Sequence, residues 1–470
     1  MSSEAPQNIT RDVPRSSNLR GEFRQLFRLA LPVVITQLGY MLFGVVDLLM
    51  VGRLDTEALS ACVLGNSWVS GTMLVGMGLV FGMDPIVSQA HGAGDVRKLG
   101  RALQQGLVLA LLASIPVALL WISTEQALLL FGQDPGSAAL AQEYVTAQLP
   151  SIPCFLLFTA LRQYLTCRGI VAPSLVVVLV ANLLNAFSDW VLVFGNLGMP
   201  ELGLVGAGIT TSITRGSMLI MLAIWIMGAK LHHGAWVPWS RSAFKFSGLS
   251  EIIRHGMPIA LYLSLEIWAF QIATYMAGWF EVTDLAAHGI VMNIASLSFM
   301  VPLGVSIGTV TRVGNLIGAG DPVGAQRTAW AATLMGGLAM SLCALTFVLF
   351  PTQILGLYTN QVAVIAAAAA ILPLAALFQV FDGIQVVGCG VMRGMGRTRP
   401  AAVFNLIAYY GLALPIAWWL AFHLGMGLSG IWWGLFIGLG AVAAMLMVWI
   451  KRRGPATASS VLRAEKEASV

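Results

Sequence analysis

The sequence predicts an all-α polytopic membrane protein of twelve transmembrane helices in two pseudo-symmetric six-helix lobes. Three observations predict it. Hydrophobic residues make up 57% of the 470 and charged residues 10%, with a mean hydropathy of +0.81, far from the balance of a soluble domain. Apolar runs of about 20 residues, long enough at 1.5 Å per residue to cross a ~30 Å hydrocarbon layer, recur along the whole chain. The chain also matches itself when slid by 226 positions.

Taken in order, the apolar runs start near residues 28, 60, 102, 140, 172, 203, 252, 285, 328, 364, 402 and 428, and short polar breaks separate them. They leave no room for a sizeable soluble domain. Residues 1–25 and 454–470 read as polar cytoplasmic tails, 26–229 as a first lobe, 230–253 as an inter-lobe linker and 254–453 as a second lobe. In the linker, His232 and His233 read as interfacial residues. The basic, polar N-terminal stretch lacks the short apolar core and small-residue cleavage site of a secretory signal. Of the 26 Lys and Arg, all but Arg53 and Arg215 fall in the termini or near every second loop, as with Arg97, Lys98, Arg162, Arg168, Arg312 and Arg393. That alternation places both termini in the cytoplasm, and it assigns the net charge of +5 to membrane topology rather than to nucleic acid. Cys62, Cys154, Cys167, Cys343 and Cys389 show no paired spacing, so neither a disulfide framework nor a zinc site is expected.

The internal match is spread over many places. Arg28–Pro32 (RLALP) falls on Arg254–Pro258 (RHGMP), Met50–Asp55 on Met276–Glu281, and His91–Asp95 (HGAGD) on Ile317–Asp321 (IGAGD). With small slips, Cys167-Arg168-Gly169 meets Met392-Arg393-Gly394 and the glycines Gly203 and Gly206 meet Gly427 and Gly430. Several matches in one order at nearly one offset argue for duplication of a six-helix unit. An even unit repeats in the same membrane orientation, with a binding cleft expected between lobes near the midplane.

Polar residues inside the apolar runs are the candidates for chemistry. The run Leu31–Gly52, LPVVITQLGYMLFGVVDLLMVG, carries a single acid, Asp47, and an acid at such a position costs roughly 2.5–3.5 kcal/mol on insertion scales. A hydrated acid near the helix end is the plainer alternative. Asn185 and Asp189 stand one turn apart on the fifth helix, and Thr210, Thr211 and Thr214 follow the glycine-rich start of the sixth. Asp47, Asn185, Asp189 and a threonine would supply hard oxygen ligands for an alkali cation such as Na⁺, or a carboxylate pair able to share a proton. A hydrogen-bond cluster joining helices fits the same residues, and spacing does not decide between them. In the second half the lone acids are Glu266 and Asp382, with Gln379 and Gln385 near the latter. Asp84, directly before Pro85, reads as a structural or gating residue. Tyr40, Trp68, Trp268, Phe270 and Phe299 are candidates for holding a flat cationic ligand through cation–π and dispersion contacts, with packing as the alternative for each.

These motifs together resemble the multidrug and toxic compound extrusion family, in its NorM-like and eukaryotic-like branches. The likeness spans about 26 to 450 and rests on Pro32 with VVDLLMVG, the paired QAHGAGD and NLIGAGD loops, Cys-Arg-Gly and Met-Arg-Gly, and Glu266. It implies a V-shaped, twelve-helix antiporter that expels organic cations in exchange for Na⁺ or H⁺. By position it implies a first-lobe cation site at Asp47, Asn185, Asp189 and Thr211, a bend at Pro32, and second-lobe acids at Glu266 and Asp382. Leu48 and Asp84 depart from the family's usual Thr and uncharged residue.

The expectation is therefore a secondary multidrug efflux transporter in the plasma membrane, bacterial inner membrane by type, monomeric and with no cofactor beyond its coupling ion. Its partners are small organic cations and the lipid bilayer, with Tyr40, Trp268, Glu266 and Asp382 toward substrate. A lipid-linked oligosaccharide flippase is the rival, but it calls for a cationic cavity, whereas the intramembrane charges read mainly acidic with Arg215 the main exception. A membrane enzyme would need DDxxD or HExxH, and neither motif is present. A passive channel suits two lobes with unequal acids less well than alternating access does.

Overall fold

The structure, a computed structural model, describes residues 18–232 and 235–457; the ends of both expected tails and His233 lie outside the described residues. Among the described residues eleven helices are long and apolar enough to cross a bilayer, and the pair Pro135–Ala147 and Ser151–Cys167, bent by 55°, makes a twelfth. The regular structure is helical because a spanning segment must satisfy every backbone N–H and C=O within itself.

The chain divides into two compact units. The first, Ile35–His91 with Asp95–Ala260, contains most of α1 (Leu19–Val51), then α2 (Thr56–Phe81), α3 (Asp84–Gly92) and α4 (Val96–Ile122). It continues through α5 (Thr124–Leu130), α6 (Pro135–Ala147), α7 (Ser151–Cys167), α8 (Ala172–Leu192) and α9 (Gly203–Gly228) into the start of α10 (Phe246–Ala277). Its core is continuous, with Trp121, Tyr144, Phe158 and Leu156 fully buried. The Trp121 indole N–H is satisfied by Thr72 Oγ1 at 2.9 Å.

The second unit takes the described residues up to Val34, Gly92–Gly94, and the chain from Leu261 onward. It holds the start of α1, the rest of α10, α11 (Val282–Gly318), α12 (Pro322–Leu349), α13 (Pro351–Gly356) and α14 (Val362–Gly394). It closes with α15 (Thr398–Asn405), α16 (Leu414–Trp418) and α17 (Gly427–Arg453), with π-helical turns at Leu406–Ala413 and Trp419–His423. Such wide turns free backbone groups and often mark functional stretches.

The unit boundaries fall inside helices, between Val34 and Ile35 and between Ala260 and Leu261. Each lies two residues past a proline, Pro32 in α1 and Pro258 in α10, and the two prolines are one repeat apart. Proline removes one helical hydrogen bond and crowds the preceding turn, so the repeat carries its weak point at the same place in both halves. The repeated GAGD loops have an equally local cause. Gly94 (φ 69) and Gly320 (φ 73) take left-handed backbone that glycine tolerates. The next residues, Asp95 and Asp321, cap α4 and α12 by accepting from Lys98 N (2.9 Å) and Gly324 N (2.7 Å).

Three features differ from the sequence reading. Helix α1 starts at Leu19, inside the stretch read as tail, because Glu22 is buried there in an ion pair with Arg312. Helix α10 starts at Phe246, inside the stretch read as linker. Arg162, Arg312 and Arg393, read as loop charges, are only 5%, 3% and 7% exposed.

Candidate functional site

The first unit gathers four of the expected residues around one carboxylate. Asp47, 5% exposed, sits four residues before the end of α1 and faces α8 and α9. Its Oδ1 accepts from Asn185 Nδ2 at 3.1 Å and its Oδ2 from Thr211 Oγ1 at 3.4 Å. Thr211 divides its single proton between Asp47 and Ala207 O at 3.1 Å, so it holds the acid weakly. Asp189, one turn beyond Asn185, is wholly buried and interacts with Asp47 and Thr210.

Helices come this close because α9 begins with glycines. A Cβ at Gly206 would stand 2.6 Å from Leu192 O, and one at Gly208 would stand 2.6 Å from Tyr144 O and 2.8 Å from Ala147 Cβ. Small residues at such positions let spanning helices touch backbone to backbone.

The oxygens around Asp47 are unusual in what they lack. Asn185 Oδ1 is buried with no hydrogen-bond partner, and the two oxygens of Asp189 and Thr210 Oγ1, although near one another, are buried without a well-formed hydrogen bond. Buried polar atoms are nearly always satisfied, and a group of them around two carboxylates fits a small hard cation or a shared proton. Arg215 on α9 adds a positive charge that acts on Asp47 and Tyr144.

Tyr40 lies in the same unit, against Phe155 with ring centroids 6.3 Å apart and under the Arg162 guanidinium at 5.3 Å. Trp68 serves the packing of α2 on α4, its indole N–H donating to Leu120 O at 3.0 Å.

The second unit holds the other acids. Glu266, 6% exposed on α10, accepts from Gln385 Nε2 at 3.4 Å, and the same amide donates to Asn405 Oδ1 at 3.3 Å. Asp382 is 4% exposed, interacts with Glu266, and keeps Oδ1 unpartnered. The hydroxyl of Tyr409, at the π-helical stretch, is unpartnered too. Phe270 stacks edge-on against Phe378 and Tyr409, each at 5.9 Å, and Trp268 is half-buried on α10. Phe299 packs against the cluster around Leu26 and Val305.

Three buried groupings escaped the sequence. Asp84 accepts from Gln163 Nε2 with both oxygens, at 3.0 and 2.9 Å; the acid was visible but its partner was not. Glu22, Arg312 and Thr328 form a buried trio, with Thr328 Oγ1 donating to Glu22 at 2.9 Å. His288, fully buried, meets Thr274 Oγ1 at 3.1 Å and the ring of Trp432. Only an acid or base in an apolar run hinted at any of them.

The comparisons with known proteins agree with one another. The MatE family model matches the chain twice, over residues 32–191 and 258–419, so each half carries the same pattern and the two matches start at the repeat-related prolines. A probable multidrug resistance protein NorM of Mesorhizobium japonicum is 36% identical over 461 residues, covering 95% of this chain and 96% of its own. Multidrug and toxin extrusion protein 2 of Mus musculus is 31% identical over 438 residues, covering 93% of this chain and 75% of its own. Among solved structures, the crystal structure of a eukaryotic MATE transporter matches with a TM-score of 0.86 at 25% identity, over 92% of this chain and 96% of that one. With this coverage in both halves, the chain belongs to the multidrug and toxic compound extrusion (MatE) family of integral, multi-pass membrane proteins.

Proposed function

We propose that the protein is a secondary active multidrug efflux transporter that exports organic cations and amphipathic compounds by antiport with H⁺ or Na⁺. The observation that carries this reading is the cluster of buried oxygens without well-formed hydrogen bonds around Asp47 and Asp189, held by a family whose named relatives are multidrug resistance and extrusion proteins. In the reading, a cation or proton taken up by Asp47 with Asn185, Asp189 and Thr211 neutralises the acid. The change in charge is relayed along α1 to Pro32, where the helix is short of a hydrogen bond, and the drug leaves. Glu266 and Asp382 supply negative charge toward cationic substrate, with Tyr40 and Trp268 as aromatic contacts.

The same reading treats the two halves, 26–229 and 254–453, as lobes that rock in alternating access. It places a monomer in the plasma membrane, the inner membrane in a bacterium, with both termini cytoplasmic, as the spacing of Lys and Arg suggests. One charge moved down a membrane potential of about 150 mV contributes roughly 3.5 kcal/mol, enough for a few-hundred-fold gradient. The test is efflux of a fluorescent organic cation from proteoliposomes under an imposed Na⁺ or H⁺ gradient. Movement against the dye's own gradient supports antiport, and mere equilibration would replace it with a channel.

A further inference from the structure

Two arginines in the first unit stand in spanning helices without a salt-bridged acid, although Asp47 acts on Arg215 from a greater distance. Arg162 on α7 is 5% exposed, and its Nη1 donates to Gln37 Oε1 at 3.2 Å. Arg215 on α9 is half-buried, and its Nη1 donates to Ser151 Oγ at 2.9 Å. Both partners are neutral. Among the described residues no carboxylate lies within salt-bridge distance of either guanidinium. Each guanidinium has five N–H donors, and the Nε of Arg162 is buried with no partner at all.

Their placement is shared. The Arg162 guanidinium carbon lies 5.3 Å from the Tyr40 ring centre and that of Arg215 lies 5.0 Å from the Phe155 ring centre. Those two rings meet edge-on at 6.3 Å, so one aromatic pair orients both cations by their faces. The Tyr40 hydroxyl is a further buried donor with no partner. Charged side chains within spanning helices normally face a wet cavity or a partner, and arginine is the residue whose planar fork matches a carboxylate.

We propose that Arg162 and Arg215, on either side of the Tyr40–Phe155 pair, form an anion subsite that takes the carboxylate of a zwitterionic amphipathic substrate. The inference rests on the efflux reading and narrows its substrate class. Asp47, on which Arg215 acts, lies in the same unit, so this unit presents both signs of charge, and a zwitterion is the ligand that answers both. At this subsite a purely cationic group would leave the Arg162 guanidinium uncompensated and meet its repulsion. Simple helix glue explains the bonds to Gln37 and Ser151 but not the unspent Nε of Arg162 or the unspent hydroxyl of Tyr40.

The test uses a rhodamine with a free benzoate and the methyl ester of the same dye, which differ in the carboxylate charge. Binding of each to the purified full-length protein is followed by fluorescence anisotropy, beside gradient-driven movement of each in proteoliposomes. The wild type should bind the zwitterion about tenfold more tightly than the ester, as expected for a charge-assisted pair. Arg162→Gln and Arg215→Gln should bring the ratio toward one, and Arg162→Lys and Arg215→Lys should restore part of it. Equal binding by the wild type, a ratio untouched by both glutamine variants, or no binding of either dye would overturn the subsite. A ratio that behaves as expected without gradient-driven movement of either dye would leave the subsite standing and sink the efflux reading instead.

Discussion

Glu22 and Arg312, 290 residues apart in sequence, form a bidentate ion pair inside the second unit, with Arg312 Nε donating at 2.9 Å and Nη2 at 2.8 Å. Thr328 Oγ1 donates to the same carboxylate, so the first turn of α1 is tied to α11 and α12. Removing one member of a buried pair strands the other and costs roughly 3–5 kcal/mol. Glu22→Ala and Arg312→Ala should each lower the melting temperature of the purified protein by several degrees, while Arg312→Lys, which keeps charge but loses the fork, should fall between. Unchanged melting in both alanine variants would contradict a structural role for the pair.

That pair also marks the limit of reading this chain from its sequence. The spanning helices were legible because hydrocarbon demands apolar residues over a fixed length, and the repeat was legible because Pro32 and Pro258, and the two GAGD loops, have local causes in ring geometry, left-handed glycine and aspartate caps. Asp47, Asn185, Asp189 and Thr211 stood out as polar residues in apolar runs, and the structure brings them together. Partners supplied by distant helices were not legible. Glu22 fell in a stretch read as polar tail, Arg162 read as a topology marker and nothing marked Gln163, because burial is decided by which helices pack and not by local composition.

The bond from Gln163 to Asp84 predicts a second stability effect, separate from transport. Asp84→Ala leaves the buried amide of Gln163 without its acceptor, at a cost of about 1–3 kcal/mol; Asp84→Asn keeps an acceptor oxygen and should cost less. Thermal melting of the two variants checks the order. Lost ion coupling in a well-folded Asp84→Asn variant would show that the acid has a transport role the hydrogen bond does not explain.

Close approach of α9 to α6 depends on Gly208. A methyl group there would stand 2.6 Å from Tyr144 O, so Gly208→Ala must push α9 away, costing about 1–3 kcal/mol as overpacking does. Because Thr210 and Thr211 lie within one turn of Gly208, the same variant should weaken any stabilisation by Na⁺ in melting experiments. Retained Na⁺ stabilisation at full size would separate the glycine contact from the oxygen cluster.

Glu266 offers a charge test with little structural cost. In Glu266→Gln the amide oxygen still accepts from Gln385 Nε2, which now bonds Glu266 at 3.4 Å, so the fold should hold while the charge is gone. Uptake of an organic cation into inverted vesicles should fall at least tenfold, with the melting temperature within a degree or two of the wild type. Unaltered uptake would remove Glu266 from the substrate path.

The most direct measurement of the central claim is dye efflux from proteoliposomes under a Na⁺ gradient and under an H⁺ gradient, comparing the wild type with Asp47→Asn. The substitution keeps the size of the side chain and its place beside Asn185 but removes the charge that a coupling ion would neutralise. The account predicts uphill efflux by the wild type under one of the two gradients and its loss in Asp47→Asn, with the variant still folded. Full gradient-driven efflux by Asp47→Asn would contradict it.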